Sequence, residues 1–422
     1  MHIGVYGSGF LATVTSACLA DFGTPVTCYD DDSPRIYGLA EGRVPFHEKN
    51  LQEVIRRNVR AGRLIYSTDL ESFSSKSSVI FLAQDSHRYI EDVALKVASN
   101  APEGTVLVVL TPAPVGTASR IEGRLAVAGK KLTVVSQPVF LTDGCAIEDF
   151  NWPDRIVLGT ASPQAVLALK QIYRPLVMRG VPVIVTNHET AELVREASTA
   201  FVATKISFIN ELASLCEHVN ADAVDLALSL GLDKKIGPRC LQPGASLGGS
   251  FVHAEMESLA ELARGNGVSL KVLSAAREVD RSHCQSVVEK ITSMVQTISG
   301  KEVGILGLAF KPHTNSVAGS ASISVARMLM SGGARIRAYD PVALSEAKQC
   351  LDSSVRYCET AYAAVDGADA LVVGTGWPEF RALDFDRIKK HLRRPIIVDT
   401  KNLLDSVRMR AMGFQYVGVG RA

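Results

Sequence analysis

Residues 2–12 read His2-Ile3-Gly4-Val5-Tyr6-Gly7-Ser8-Gly9-Phe10-Leu11-Ala12. An apolar, β-branched run ends there in a G-x-G-x-x-A turn, and Val14, Cys18 and Leu19 continue at helical spacing, so strand, glycine turn and helix follow one another directly. The first glycine permits the tight turn and the second lets the backbone approach a pyrophosphate. The helix N-terminus offers that anion unpaired N–H groups and a partial positive charge. The next run, Val26–Tyr29, ends in Asp30-Asp31-Asp32, about twenty residues further on, where a carboxylate accepts hydrogen bonds from the adenosine ribose. Three carboxylates repel a 2′-phosphate. NAD, not NADP, is therefore the expected cofactor, held by Gly7, Gly9, Phe10, Leu11 and Asp30.

Outward from this unit, Val79–Ala83, Val106–Thr111 and Leu132–Ser136 read as further strands with helical patterns between them, the mark of a parallel sheet covered on both faces. From about Glu189 to Val219 the pattern is purely helical, with Leu193, Ala197, Ala200, Phe201, Thr204, Phe208 and Leu212 three or four residues apart. A second helical stretch runs from about Ala254 to Ile298. Alternation resumes at Lys301–Leu308, Ala334–Tyr339, Ala370–Val373 and Pro395–Asp399. The expected class is α/β: two doubly wound domains joined by a long central helix and a helical region, divided at 1–188, 189–298 and 299–422.

The chain has 422 residues, enough for two or three cores, and carries 45 basic against 44 acidic residues for a net charge of +1. That balance argues against nucleic acid or an anionic membrane as principal partner and favours a small molecule. No apolar run approaches the ~20 residues of a membrane helix, and Met1–Tyr6 reads as a strand and not as a signal peptide, so a cytoplasmic location is expected. The eight cysteines form no C-x-x-C pair, which suggests neither a metal site nor a disulfide framework.

Beyond these readings, the sequence resembles the UDP-glucose and GDP-mannose dehydrogenases over nearly its whole length. The resemblance rests on Asp30 with Arg35, Gly62-Arg63-Leu64, Phe140-Leu141 through Gly144, and Pro153-Asp154-Arg155 in the first part. It continues through Ala191-Glu192-Leu193-Val194, Ala203 to Glu211, Pro243-Gly244 and Gly248-Gly249-Ser250 in the middle, and ends on Gly307 to Pro312, Tyr339-Asp340-Pro341 and Asp399-Thr400-Lys401-Asn402. It implies two Rossmann-like lobes, NAD on the first with Arg35, Ser86 and Thr111 as added contacts, and the nucleotide of a sugar nucleotide, a UDP-sugar foremost, on the second. Phe140, Leu141, Gly248, Gly249, Phe310, Lys311 and Lys401 are the implied substrate contacts, Lys401 standing where the family has an arginine. The resemblance also implies a homodimer built on the long helix, with Lys235 and Arg239 near the neighbouring site.

The resemblance breaks at the chemistry. The family oxidises a CH₂OH group twice and traps the intermediate aldehyde on a cysteine, and at that cysteine's position this chain has Phe251, which offers no nucleophile. The family's lysine and asparagine on the long helix are Arg195 and Thr199, its glutamate is Val139, its aspartate is Glu255, and Pro112 replaces a threonine beside Thr111. Four residues are left as catalytic candidates. His253 would act as general base, the role imidazole most often fills, Glu255 would orient it or act itself, and Arg195 would bind an anionic group, with Thr199 as the fourth candidate. The bland readings are a solvated helix start for His253, a first-turn acid for Glu255 and a structural ion pair for Arg195. A two-electron NAD-dependent oxidation of a nucleotide sugar without a thioester is the first expectation. The alternatives are a non-catalytic nucleotide-sugar-binding homologue and a redox-neutral epimerase with bound NAD.

Overall fold

The computed structural model describes residues 1–421, apart from the side chains of residues 250 and 251. It forms two compact units, Met1–Ala197 and Ser198–Ala422, and the boundary falls inside one long helix, His188–Val219.

In the first unit the strands are β1 Ile3–Tyr6, β2 Val26–Tyr29, β3 Leu64–Ser67, β4 Val79–Leu82, β5 Val106–Val109, β6 Thr133–Ser136, β7 Ile156–Gly159 and β8 Val183–Thr186. They lie in the order β3-β2-β1-β4-β5-β6-β7-β8. Chain order reverses between β1 and β4, so the turn after β1 sits at the topological switch point, where doubly wound folds bind ligands. All neighbours are parallel except β6 and β7, which share the single antiparallel pair Ser136–Gly159. β1, β2, β4 and β5 are buried along their whole length, which is why their sequences are continuous apolar runs. Each large side chain there, such as Ile80 or Phe81, contributes about 2 kcal/mol by burial.

Helix α1, Phe10–Asp21, is buried from Leu11 to Ala20 because Ala12, Ser16, Ala17 and Ala20 are small enough to sit against neighbours on every side. Two of its buried hydroxyls are satisfied locally: Thr13 Oγ1 donates to the Ser8 carbonyl and Ser16 Oγ to the Thr13 carbonyl, each at 3.2 Å.

In the second unit β9 Glu302–Leu306, β10 Arg335–Tyr339, β11 Arg356–Tyr357, β12 Ala370–Val373, β13 Ile396–Asp399 and β14 Gln415–Gly418 form an all-parallel sheet in the order β11-β10-β9-β12-β13-β14. The helices Ala223–Leu232, Ser250–Gly265 and Lys271–Val295 belong to this unit. The nine expected strands all form, and β3, β7, β8, β11 and β14 are additions. The expected helical stretch over 254–298 is two helices, because Gly265-Asn266-Gly267 ends the first, with Gly267 at φ +71°. Among the described residues no helix is long and apolar enough to cross a membrane, and no cluster of His, Cys, Asp or Glu could hold a metal.

Candidate active site

The turn after β1 has the shape its sequence requires. Gly7 adopts φ +125°, and a Cβ there would lie 2.8 Å from the Ala83 carbonyl, so no other residue fits. Its N–H donates to the Tyr29 carbonyl at 2.7 Å, pinning the turn to the end of β2. Gly9 has an ordinary φ of −75°, and what it supplies is space. A Cβ at Gly9 would overlap the carboxylate of Asp85, which lies over the turn and accepts from the N–H groups of Phe10 at 3.2 Å and Leu11 at 3.3 Å. The first turn of α1 therefore does hold an anion, at the donors that the pyrophosphate of NAD would take.

The aspartate triplet divides its labour. Asp30 accepts from Ser8 Oγ at 2.9 Å and from the Asp32 N–H at 3.0 Å, which aims its carboxylate across the turn, where a ribose would meet it. Asp31 is locked by Lys96 Nζ at 2.6 Å and by the hydroxyls of Tyr29 and Tyr6. Burial opposes its ionisation, yet the hydrogen bonds from Lys96 and Tyr29 prevail and hold it below the ordinary carboxylate range. Asp32 caps the helix α2, Ser33–Ala40, through the Arg35 N–H, and the Arg35 guanidinium lies 3.8 Å from the same carboxylate. Only Asp30 faces the turn.

Phe10 packs against Phe46 with the rings tilted by 60° and centroids 5.2 Å apart, and Leu11 enters the core. Ser86 is exposed beside Asp85 and accepts from the Arg88 N–H at 3.3 Å. The Thr111 hydroxyl donates to the Leu82 carbonyl at 3.1 Å and accepts from the Gln84 N–H at 2.9 Å, so it ties the ends of β4 and β5 together.

Beside Thr111 a pocket is lined by Pro112, Ala113, Ser136, Pro138, Glu192 and Arg195. Glu192, buried, accepts from the N–H groups of Gly116 at 2.6 Å and Ala118 at 2.8 Å at the start of the helix Thr117–Val127. Desolvation raises its pKa, and those two bonds oppose the rise. Arg195 donates to the Val139 carbonyl at 2.6 Å, so the arginine reaches the backbone of the position where a glutamate was expected. The segment that follows is braced by buried Glu48, which accepts from Gly144 and Ala146 N–H at 2.6 and 3.0 Å. Within it, Arg155 stacks over the Phe140 ring at 4.1 Å, and Leu141 packs onto the core.

In the second unit Phe310 lies against the glycine loop, 3.6 and 3.7 Å from where Cβ atoms of Gly248 and Gly249 would stand, and Lys311 Nζ is 5.8 Å from its ring. Asp280, buried on the helix Lys271–Val295, organises the loop: it accepts from Ser246 Oγ at 2.9 Å and the Leu247 N–H at 2.7 Å, and His253 Nε2 lies 3.4 Å from its other oxygen. His253 thus faces Asp280, while Glu255 is buried and accepts from the Thr199 hydroxyl. Lys401 is enclosed near Gly244, Cys284 and Asp280, and desolvation lowers its pKa despite those acidic neighbours. Cys284 donates to the Ala245 carbonyl at 3.3 Å, and burial pushes its thiol up to about 11, so it stays protonated and does not stand in for the missing nucleophile. The Phe251 side chain lies outside the described residues.

A doubly wound lobe with this turn and acid defines a dinucleotide-binding protein. Residues 1–177 match the NAD binding domain of the UDP-glucose/GDP-mannose dehydrogenase family, residues 189–282 its central domain and residues 304–406 its UDP binding domain. The chain is 36% identical over 436 residues to the UDP-glucose 6-dehydrogenase of Rhizobium meliloti, covering the whole of both chains. It is 33% identical to UDP-glucose 6-dehydrogenase TuaD of Bacillus subtilis over 99% of this chain and 93% of that one. A UDP-glucose dehydrogenase structure from Pyrobaculum islandicum superposes with a TM-score of 0.91 at 30% identity, covering 100% of this chain and 98% of the other. The chain belongs to the UDP-glucose/GDP-mannose dehydrogenase family, and its cofactor is NAD.

The sequence missed Asp85, Glu48 and Asp280. Each acts through contacts 30 to 100 residues away, and no local motif marks any of them.

Proposed function

We propose that this member of the family performs one two-electron oxidation of an alcohol on a nucleotide sugar, a UDP-sugar foremost, and stops at the carbonyl. The observation that carries the reading is the intact glycine turn, with Asp30 aimed across it, in a chain that has phenylalanine at the thiol position. Without a thiol the aldehyde has no covalent anchor, and the second hydride loss has no thiohemiacetal to start from. The relatives named above are UDP-glucose dehydrogenases, which supports a UDP-hexose as substrate class.

In this reading Gly7, Gly9 and the first N–H groups of α1 hold the pyrophosphate and Asp30 holds the ribose. When bound, NAD supplies a hydride acceptor. His253 takes the hydroxyl proton. Asp280 engages Nε2, which leaves Nδ1 to accept a proton and stabilises the imidazolium that results. Gly248, Gly249 and Phe310 present an apolar and backbone surface to the substrate, and Lys311 and Lys401 place positive charge nearby. Phe140 and Leu141, held by Arg155 and the core, line the substrate segment of the first unit, and Arg195 places charge beside its pocket. Functionally we divide the chain into 1–188 for NAD, 189–298 for dimerisation and 299–422 for the nucleotide.

A homodimer is supported by Phe201, Phe208 and Leu215. They recur every seven residues on the long helix and are each more than half exposed, a stripe that a globular monomer has reason to cover. Phe208→Glu should convert the dimer to monomer in size-exclusion chromatography, and an unchanged elution volume would sink the assignment.

The reaction is tested by NADH absorbance with NAD and UDP-, GDP- and TDP-sugars. One NADH per sugar consumed is expected. Two would show that another group replaces the cysteine.

A further inference from the structure

The anion at the first turn of α1 is part of the protein. Asp85 sits in the loop after β4, and both of its carboxylate oxygens are on the N–H groups that the family fingerprint reserves for a pyrophosphate, Oδ2 on Phe10 and Oδ1 on Leu11. It lies so close over Gly9 that a single added carbon there would overlap it. Two anions cannot share those donors, and a carboxylate left beside a bound diphosphate would add like-charge repulsion. We propose that Asp85 is an affinity-determining residue for NAD, an internal competitor that has to leave the turn before the dinucleotide can enter. The inference rests on NAD being the cofactor.

The loop is built for that exchange. Its root is fixed, since Gln84 N–H donates to Thr111 Oγ1 at 2.9 Å and Ile90 N–H to the His87 carbonyl at 3.0 Å. Between these anchors residues 85 to 89 are all exposed, so the displaced carboxylate is rehydrated instead of being trapped in a dry site. Competition therefore weakens binding without abolishing it. If the carboxylate occupies the turn nine-tenths of the time, the apparent dissociation constant rises about ten-fold, because only the open fraction is competent.

The test is titration calorimetry of the full-length protein with NAD and with ADP-ribose, which shares the pyrophosphate and lacks the nicotinamide. Wild type is compared with Asp85→Asn, Asp85→Ser and a charge control, Glu103→Gln. Glu103 is an exposed acid facing Lys131 at 3.5 Å, ahead of β5 and so at the opposite, amino edge of the parallel sheet. Asp85→Ser should bind both ligands about ten-fold more tightly, Asp85→Asn should fall between, because a neutral amide oxygen is a weaker acceptor, and Glu103→Gln should match wild type. Equal affinities across all four proteins would overturn the proposal. So would equal tightening in Glu103→Gln, which would reduce the effect to net charge. Failure of NAD and ADP-ribose to bind any of them would overturn the cofactor assignment, and this inference with it.

Discussion

The two lobes begin alike and diverge at one turn. In the first, β1 ends in Tyr6-Gly7 and β2 in Tyr29-Asp30. In the second, β9 ends in Leu306-Gly307 and β10 in Tyr339-Asp340. Gly7 donates to the Tyr29 carbonyl and Gly307 to the Tyr339 carbonyl, both at 2.7 Å. In each lobe an aspartate also caps the backbone after the glycine, but from different places. Asp340 comes from the adjacent strand end, is buried, and accepts from the N–H groups of Leu308, Ala309, Val342 and Ala343 and from Trp377 Nε1. Asp85 comes from an exposed loop and accepts from two. The second lobe has no helix at its turn, since the helix Ala321–Ser331 begins only after the segment 310–320. One topology thus yields a permanently closed turn and a reopenable one, and burial of the acid marks which is which.

The largest effect that would sharpen this contrast is Gly307→Ala. With φ at +93° and a new Cβ colliding with Thr375, whose N would lie at 2.6 Å, it should cost about 4 kcal/mol in urea unfolding. Gly9→Ala, with its unstrained backbone, should change stability by less than about 1 kcal/mol while weakening NAD binding. Equal losses would erase the distinction. Next in size, Asp340→Ala leaves buried donors without an acceptor and should cost about 3 kcal/mol, against about 1 kcal/mol or less for Asp85→Ala. Comparable losses at the two positions would mean that the Asp85 contact is structural.

Acid should also treat the units differently. His283, buried on the helix Lys271–Val295, has its pKa lowered to about 4, by desolvation first and then by Lys290. A histidine depressed in the native state is neutral there and takes up its proton on unfolding. Its contribution is complete above the unfolded value of 6.5 and is lost as pH falls through about 4. The loss should be at most about 3 kcal/mol, and His283→Gln should flatten it in pH-dependent thermal melts. An unchanged pH slope would remove His283 as the cause.

How much of this was legible in the sequence depends on the reach of each interaction. Gly7, Gly9 and Asp30 could be read because strand, turn and helix are contiguous and their chemistry is local. β3 and β8 could not, because they are only partly buried and lack the continuous apolar run of β1 or β4. β11 has only two residues. The break at Gly265-Asn266-Gly267 was readable in principle as a helix stop. The partners of His253 and Glu255 were not readable, since Asp280 and Thr199 reach them from other helices. The resemblance to the family located the missing thiol but gave no sign of Asp85, whose partners are fixed only when β4 and α1 come together.

The first sheet also contains a joint. Six parallel strands, from β3 to β6, share continuous ladders, and β7 and β8 join them through the single ladder pair Ser136 and Gly159, while Ile156, Leu158 and Leu169 carry the same apolar core across the seam. In mechanical terms this is a plate with a leaf joined at one rung, where side-chain packing and not a ladder of backbone bonds carries the load across the seam. The chain between the two parts, residues 137–155, carries Phe140, Leu141 and Arg155, so the residues proposed to meet the substrate lie where the sheet is sewn by packing and that one rung.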